Sequence, residues 1–198
     1  MRTIKTKIMM VLFLTIVFSI FTSGNLLAQQ FKLDNSKSTL TVYGTSSLHD
    51  WEEKAEKQSG SMSILLSEEG NLTISSLAVS VEAESLKSHK SGMDKNTYKA
   101  LKTDKYKSID FKMVSVKQIK DLGNSSYQVT VSGKLTITGN TKTIDLPFKM
   151  NVSANSVTLE GETTFNMSEY GVEPPTALFG TVTTGDQLKI KFKSILTK

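Results

Sequence analysis

From Lys37 onward the chain alternates apolar and polar residues with a period of two, which marks strands with one buried and one wet face. The clearest run sets Tyr127, Val129, Val131, Leu135 and Ile137 against Gln128, Thr130, Ser132, Lys134 and Thr136. The pattern returns in Ile144, Leu146, Phe148, Met150 and Val152, in Val157, Leu159, Phe165 and Met167, and in Leu188, Ile190 and Phe192. Shorter runs join Leu40 with Val42, Met62 with Ile64 and Leu66, Leu72 with Ile74, and Ile109 with Phe111 and Met113. Two runs switch parity midway, across Ser75-Ser76 and between Met113 and Val114, as one extra residue in a strand would cause.

Residues that accept positive φ separate the runs: Glu68-Glu69-Gly70-Asn71, Gly123-Asn124, Gly139-Asn140 and Gly185-Asp186. Such turns make hairpins, so the sheet is antiparallel. Residues 91–103 break the pattern, with Ser91 and Asp94 in a capping-box-like start and Met93, Thr97, Ala100 and Leu101 at helical spacing. The pattern therefore predicts an all-β domain of about eight antiparallel strands, a barrel or a sandwich, with one helical insertion.

The first residues read as an address. Arg2, Lys5 and Lys7 precede an uncharged apolar run over residues 8–21, shorter than the roughly 20 residues that cross a bilayer. Ala28 then suits a peptidase, which predicts a signal peptide over residues 1–28, one domain over residues 29–198, and a periplasmic or secreted location. No cysteine occurs anywhere, so disulfides, thiolate metal sites and a lipid-anchored cysteine are excluded. The three leader cations supply most of the formal net charge of +5, and the remainder gives no basic stripe for nucleic acid.

Chemistry has little to work with. The two histidines are His49 and His89, and the suggestive set Ser46, Ser47, His49 and Asp50 is contiguous, whereas a catalytic triad converges from separate elements. Neither catalysis nor a metal site is expected, since zinc needs three or four clustered ligands. Lys189, Lys191 and Lys193 read as the soluble outer face of a strand, with anionic headgroups as the other reading. Trp51 suits either a core anchor or a ligand wall. Met62, Met93, Met113, Met150 and Met167 all fall on inward positions, which suits an adaptable lining and a gap-filled core equally.

Several segments carry a resemblance: Ser46-Ser47-Leu48-His49-Asp50-Trp51, residues 93–101 (Met93 to Leu101), residues 105–111 (Lys105 to Phe111), residues 133–142 (Gly133 to Lys142), and Tyr170-Gly171-Val172-Glu173-Pro174-Pro175 leading to Phe179-Gly180. In this order and spacing they resemble the YceI-like family of exported bacterial domains, over nearly all of the chain from Lys37. The resemblance implies an eight-stranded, lipocalin-like antiparallel β-barrel that performs no chemistry and needs no cofactor. It also implies a bound long apolar chain, such as a polyisoprenoid or isoprenoid quinone, in an apolar tunnel. On that reading Leu48, Trp51, Met93, Leu101, Phe111, Met113, Phe148, Met150, Phe165 and Met167 line the ligand, and His49 is a polar orienting contact. The expected partner is an apolar lipid-like small molecule and not nucleic acid; transient membrane-surface contact and a homodimer stay open. The alternative is a solidly packed structural or stress-linked interaction module without a lipid.

Overall fold

The computed structural model describes residues 27–66 and 71–198. The predicted signal peptide, residues 1–28, lies outside the described residues apart from its last two, which open the first strand. The Glu68-Glu69-Gly70 turn signal also lies outside them.

In chain order the strands are β1 (Leu27–Leu33), β2 (Thr39–Gly44), β3 (Trp51–Ala55), β4 (Gln58–Leu66), β5 (Leu72–Glu82), β6 (Leu86–Lys87), β7 (Ser108–Gly123), β8 (Ser126–Ile137), β9 (Asn140–Val152), β10 (Ser156–Asn166), β11 (Thr176–Ala177), β12 (Val182–Thr183) and β13 (Gln187–Thr197). Helix α1 (Ser91–Leu101) stands between β6 and β7. The strands β1-β4-β5-β7-β8-β9-β10-β13 form an antiparallel sheet that closes when β13 pairs back to β1. The other end of β13 pairs instead with β2, which leads on to β3 and β6. Because β2 continues β1, β3 runs into β4 and β6 continues β5, the wall is eight strand paths: an eight-stranded antiparallel barrel with one helical insertion, as the pattern and the resemblance predict. Closure pairs each of the eight paths on both sides over part of its length, with the β5–β7 and β9–β10 contacts limited to five residue pairs each.

Three neighbouring paths break at one level. The breaks fall at residues 34–38, 56–57 and 83–85, and polar groups sew them together. Asn35 donates from its Nδ2 to the Glu56 carbonyl at 2.9 Å and accepts the Gln58 N–H on its Oδ1 at 2.8 Å. The Glu56 N–H reaches the Ser85 carbonyl, the Glu82 N–H reaches the Lys57 carbonyl, and the Ser38 hydroxyl takes the Ile195 N–H. Backbone groups freed by the breaks are thereby satisfied, as burial demands.

Both predicted parity switches are bulges. Ser63 faces Ser76 while Ile64 faces Ile74, so Ser75 is the extra residue; in β7 the register jumps between Met113 and Ser115 across Val114. Two glycines explain interruptions of the apolar parity. A Cβ on Gly133 would stand 2.3 Å from the Phe111 ring, and one on Gly44 would stand 2.2 Å from the Trp51 ring. Each gives up a side chain so that an aromatic ring can lie across the sheet. The alternation reading from Lys37 passes over β1, although its Phe31 is among the most deeply buried side chains.

The ends of the barrel differ in their connections. One end carries the tight turns β7–β8 and β9–β10. The other carries residues 45–50, the α1 insertion, the β8–β9 turn and the excursion of residues 167–186 that includes β11 and β12. Within the first end Phe31, Met62, Ile64, Val129, Val131, Met150, Val157 and Leu196 are almost wholly buried in a continuous core.

Candidate ligand cavity

Beneath the long connections the barrel is hollow. A cavity of about 1120 Å³ occupies that half, beyond the usual upper size of a small-molecule pocket. Leu77, Phe111, Phe148 and Leu159 belong both to the packed core and to the cavity lining, so they form its floor. Leu40, Val42, Val81, Ile109, Leu188, Ile190 and Phe192 make much of the wall. The space is a blind cavity rather than the expected tunnel, because core side chains fill the barrel below the floor.

Helix α1 sits over this space without burying any of its own residues. Met93, Thr97, Ala100 and Leu101, the predicted inward stripe, all line the cavity. The predicted Ser91–Asp94 capping box is replaced by another link: Asp94 accepts the Ser88 N–H at 2.9 Å and the Ser88 hydroxyl at 2.6 Å. These bonds hold the Asp94 carboxyl below the ordinary carboxylate range against the opposing effect of burial. Tyr98 anchors the middle, its hydroxyl within reach of the Glu84 and Leu86 carbonyls and receiving the Lys87 ammonium. Lys102 ends the helix in the left-handed conformation, earlier than the predicted residue 103, and its N–H closes on the last helical carbonyls.

The loop of residues 45–50 is folded by Ser46. Its Oγ accepts the Leu48 and His49 N–H groups and donates to the His49 carbonyl at 2.7 Å. Ser47 accepts the Thr183 N–H and donates its own N–H to the Thr183 carbonyl, which ties this loop to the excursion. The His49 Nδ1 meets the Asp50 carbonyl at 2.7 Å. Both serine hydroxyls are thus engaged with backbone, and no triad forms. Among the described residues no three histidine, aspartate or glutamate side chains gather as a metal site.

Of the residues expected to line a ligand, Leu48, Trp51, Met93, Leu101, Phe111, Phe148, Phe165 and Met167 stand in the cavity wall, and so does His49. Met113 and Met150 do not. Met150 pairs with Leu159 and Tyr127 toward the tight-turn end and is fully buried in the core, while Met113 lies beside the Val114 bulge and packs against that core half-buried. Lys189 and Lys193 form ion pairs with Glu162 and Glu160 across β10, and Lys191 lies over the Tyr43 ring, so the lysine stripe serves the outer face. It protects no edge, since β13 is paired on both sides.

Two polar groups in the wall escape the sequence reading. Glu53 follows Trp51 on the inward parity of β3, is 2% exposed, and accepts a 2.6 Å hydrogen bond from the Thr97 hydroxyl. Burial, reinforced by the Asp94 charge and opposed by Thr97 and Lys87, raises its pKa to about 7. Tyr170 is fully buried, meets the Phe165 ring edge to face at 5.2 Å, and its hydroxyl has no hydrogen-bond partner among the described residues. Burial and the Glu169 charge push that phenol upward. The Tyr170 carbonyl is clamped by the Thr138 hydroxyl at 2.6 Å and the Asn140 amide at 2.7 Å. The signal for Glu53 was its parity; nothing local marked Tyr170, whose clamp comes from thirty residues upstream.

The segments quoted above meet here: Tyr106 lies over Gly139, Asn140 holds Tyr170, and the Ser46 loop borders the excursion. The model of the YceI-like domain matches residues 31–195. The chain belongs to the YceI-like family. Among solved structures it is similar to Burkholderia cenocepacia BcnA, at 20% identity and a TM-score of 0.63, over 82% of this chain and 98% of that one. It is also similar to a polyisoprenoid binding domain from Saccharophagus degradans implicated in plant cell wall breakdown, at 14% identity and a TM-score of 0.66, over 87% of this chain and 99% of that one. At these identities the likeness speaks for the barrel. Curated proteins give no significant match.

Proposed function

We propose that this YceI-like barrel binds a long apolar chain, a polyisoprenoid or isoprenoid quinone, in its blind cavity, and carries or sequesters it outside the cytoplasm after residues 1–28 are removed. The observation that carries the reading is the large apolar cavity under α1, which a barrel packed as a pure interaction module would not contain. The polyisoprenoid-binding relative supports the same cargo class. Each buried methylene contributes about 0.8 kcal/mol, so a chain of many carbons binds well after several kcal/mol of ordering cost. Leu48 and Phe179 stand exposed at the cavity rim, where such a chain would pass to or from a bilayer.

Organic extraction of the purified secreted protein, followed by mass spectrometry, tests the reading: a long-chain lipid at near one per chain is expected. Recovery of none, together with no stabilisation by added isoprenoid, would refute it. Intact mass of the secreted form is expected to begin at Gln29.

A further inference from the structure

The small net charge of residues 29–198 conceals a segregation. Residues 87–107 hold seven lysines against two aspartates, Asp94 and Asp104, while the remainder of residues 29–198 is net acidic. Elsewhere lysines are answered: Lys37, Lys54, Lys57, Lys117, Lys189 and Lys193 each pair with a carboxylate. Lys90, Lys95, Lys99 and Lys102 are exposed, and none of them forms an ion pair among the described residues. Lys95 and Lys99 stand one turn apart on the exposed side of α1, and Lys102 caps it.

Lys90 and Lys95 line the cavity, as do the exposed apolar side chains Leu48 and Phe179. An exposed residue that lines a cavity stands at its opening, so basic and apolar groups share the mouth. Among the described residues lining the cavity the only carboxylate is Glu53, and it is buried. Like charges gathered in one segment repel one another unless a partner answers them. A bilayer with anionic headgroups does so, and its interface accepts exposed apolar side chains as well. A nucleic acid answers the charge but not the apolar cavity that opens among the lysines. We propose that the α1 end of the barrel docks on anionic phospholipid bilayers, with Lys90, Lys95, Lys99 and Lys102 on the headgroups and Leu48 and Phe179 in the interface, so that the cavity opens onto the membrane. The purpose of docking rests on the chain-binding reading above, whereas docking itself is measured without cargo.

The test floats the lipid-stripped mature protein with vesicles of phosphatidylcholine, with and without phosphatidylglycerol. The parent is expected to float with the anionic vesicles, to leave them at high salt, and to bind the neutral ones far more weakly. The triple variant Lys95→Gln, Lys99→Gln, Lys102→Gln should lose about a hundredfold in partition to the anionic vesicles, at roughly fivefold for each lysine near such a surface. The triple variant Lys189→Gln, Lys191→Gln, Lys193→Gln removes the same charge from the outer face of β13 and should bind within about twofold of the parent. Both triples should melt with the parent, and the salt dependence of the parent stands whether or not they fold. Equal binding to both kinds of vesicle, equal losses from the two triples, or binding of a DNA oligonucleotide but of no vesicle overturns the docking surface. Lipid extraction decides the other reading separately: a protein that carries a lipid yet ignores anionic vesicles loses only the docking surface, and one that docks yet carries none keeps it and loses only chain binding.

Discussion

The two halves of the barrel are built from one continuous alternation yet end in opposite physical states. In the packed half the inward positions of β1, β4, β8 and β10 meet one another: Phe31, Met62, Val129 and Val157 are wholly buried in one continuous core. In the hollow half the inward positions of β2, β6, β7 and β13 face open space. Between them runs the seam where three strand paths break together. Period-two patterning states which side chains point inward, and says nothing of whether anything stands opposite them. The packed half supplies stability, and it allows the other half to enclose a cavity.

Truncation should separate the halves most strongly. Phe31→Ala removes a wholly buried ring from the packed half and should cost roughly 3 to 5 kcal/mol through lost burial and a new cavity. Met150→Ala should cost roughly 2 to 5 kcal/mol for the same reason. Phe165→Ala, facing space that is already open, should cost the empty protein clearly less. Urea midpoints of the three variants check this, and equal losses would mean that the hollow half collapses in solution.

The next effect belongs to a charge that only the hollow half holds. Glu53 titrates near 7 when folded and near 4.5 when unfolded, so the folded state keeps a proton that the unfolded state has released between those values. Its contribution is most favourable below about pH 4.5, is lost as pH rises to about 7, and stays lost above. The full span is roughly 3 kcal/mol. Glu53→Gln should therefore be more stable than the parent at pH 8 and lose less stability between pH 5 and pH 8. Asp34, Asp94 and Asp186 are held low by hydrogen bonds and act only toward acid, outside this window. Denaturation midpoints at both pH values decide it; parallel curves for parent and variant would mean that Glu53 is hydrated.

Filling the space should matter less than emptying the core. A tryptophan at Met150 has nowhere to go and should cost roughly 1 to 3 kcal/mol by overpacking. One at Ile144 or Leu188, both in the cavity wall, should leave the empty barrel nearly as stable while blocking an isoprenoid from entering. Comparing melting temperatures with and without a long-chain isoprenoid distinguishes the two outcomes.

Much of the fold was legible because it is written locally. Parity placed the inward face of β7 to β10 and β13, and its slips at Ser75 and Val114 located real bulges. The floor was not legible. Phe148 and Met150 are two residues apart on one face of β9, yet one meets the cavity and the other the core, because the boundary is set by β1 and β4 crossing from elsewhere in the chain. Tyr170 was legible as part of the resemblance but not as a buried wall residue, for a related reason: what buries its ring and holds its carbonyl belongs to β10 and to the β8–β9 turn. Glu53 could have been found, since a charged residue on an inward parity always asks for a partner.

The smallest change in stability is expected at the rim, where the hollow half meets its surroundings. Leu48 is 69% exposed because the Ser46 turn points it outward, and Phe179 stands free on the excursion in the left-handed conformation. Surface truncations of this kind shift folding by no more than about 0.5 kcal/mol. Both side chains border the cavity, so their cost in water is repaid only where an apolar surface meets the mouth. The Leu48→Ser, Phe179→Ser double variant should therefore melt with the parent and hold a fluorescent isoprenoid as tightly, yet deliver it to phosphatidylcholine vesicles severalfold more slowly. Transfer kinetics read by energy transfer make the measurement. If delivery kept the parent's rate, the two apolar residues would play no part in membrane contact, and the mouth would release its chain through water.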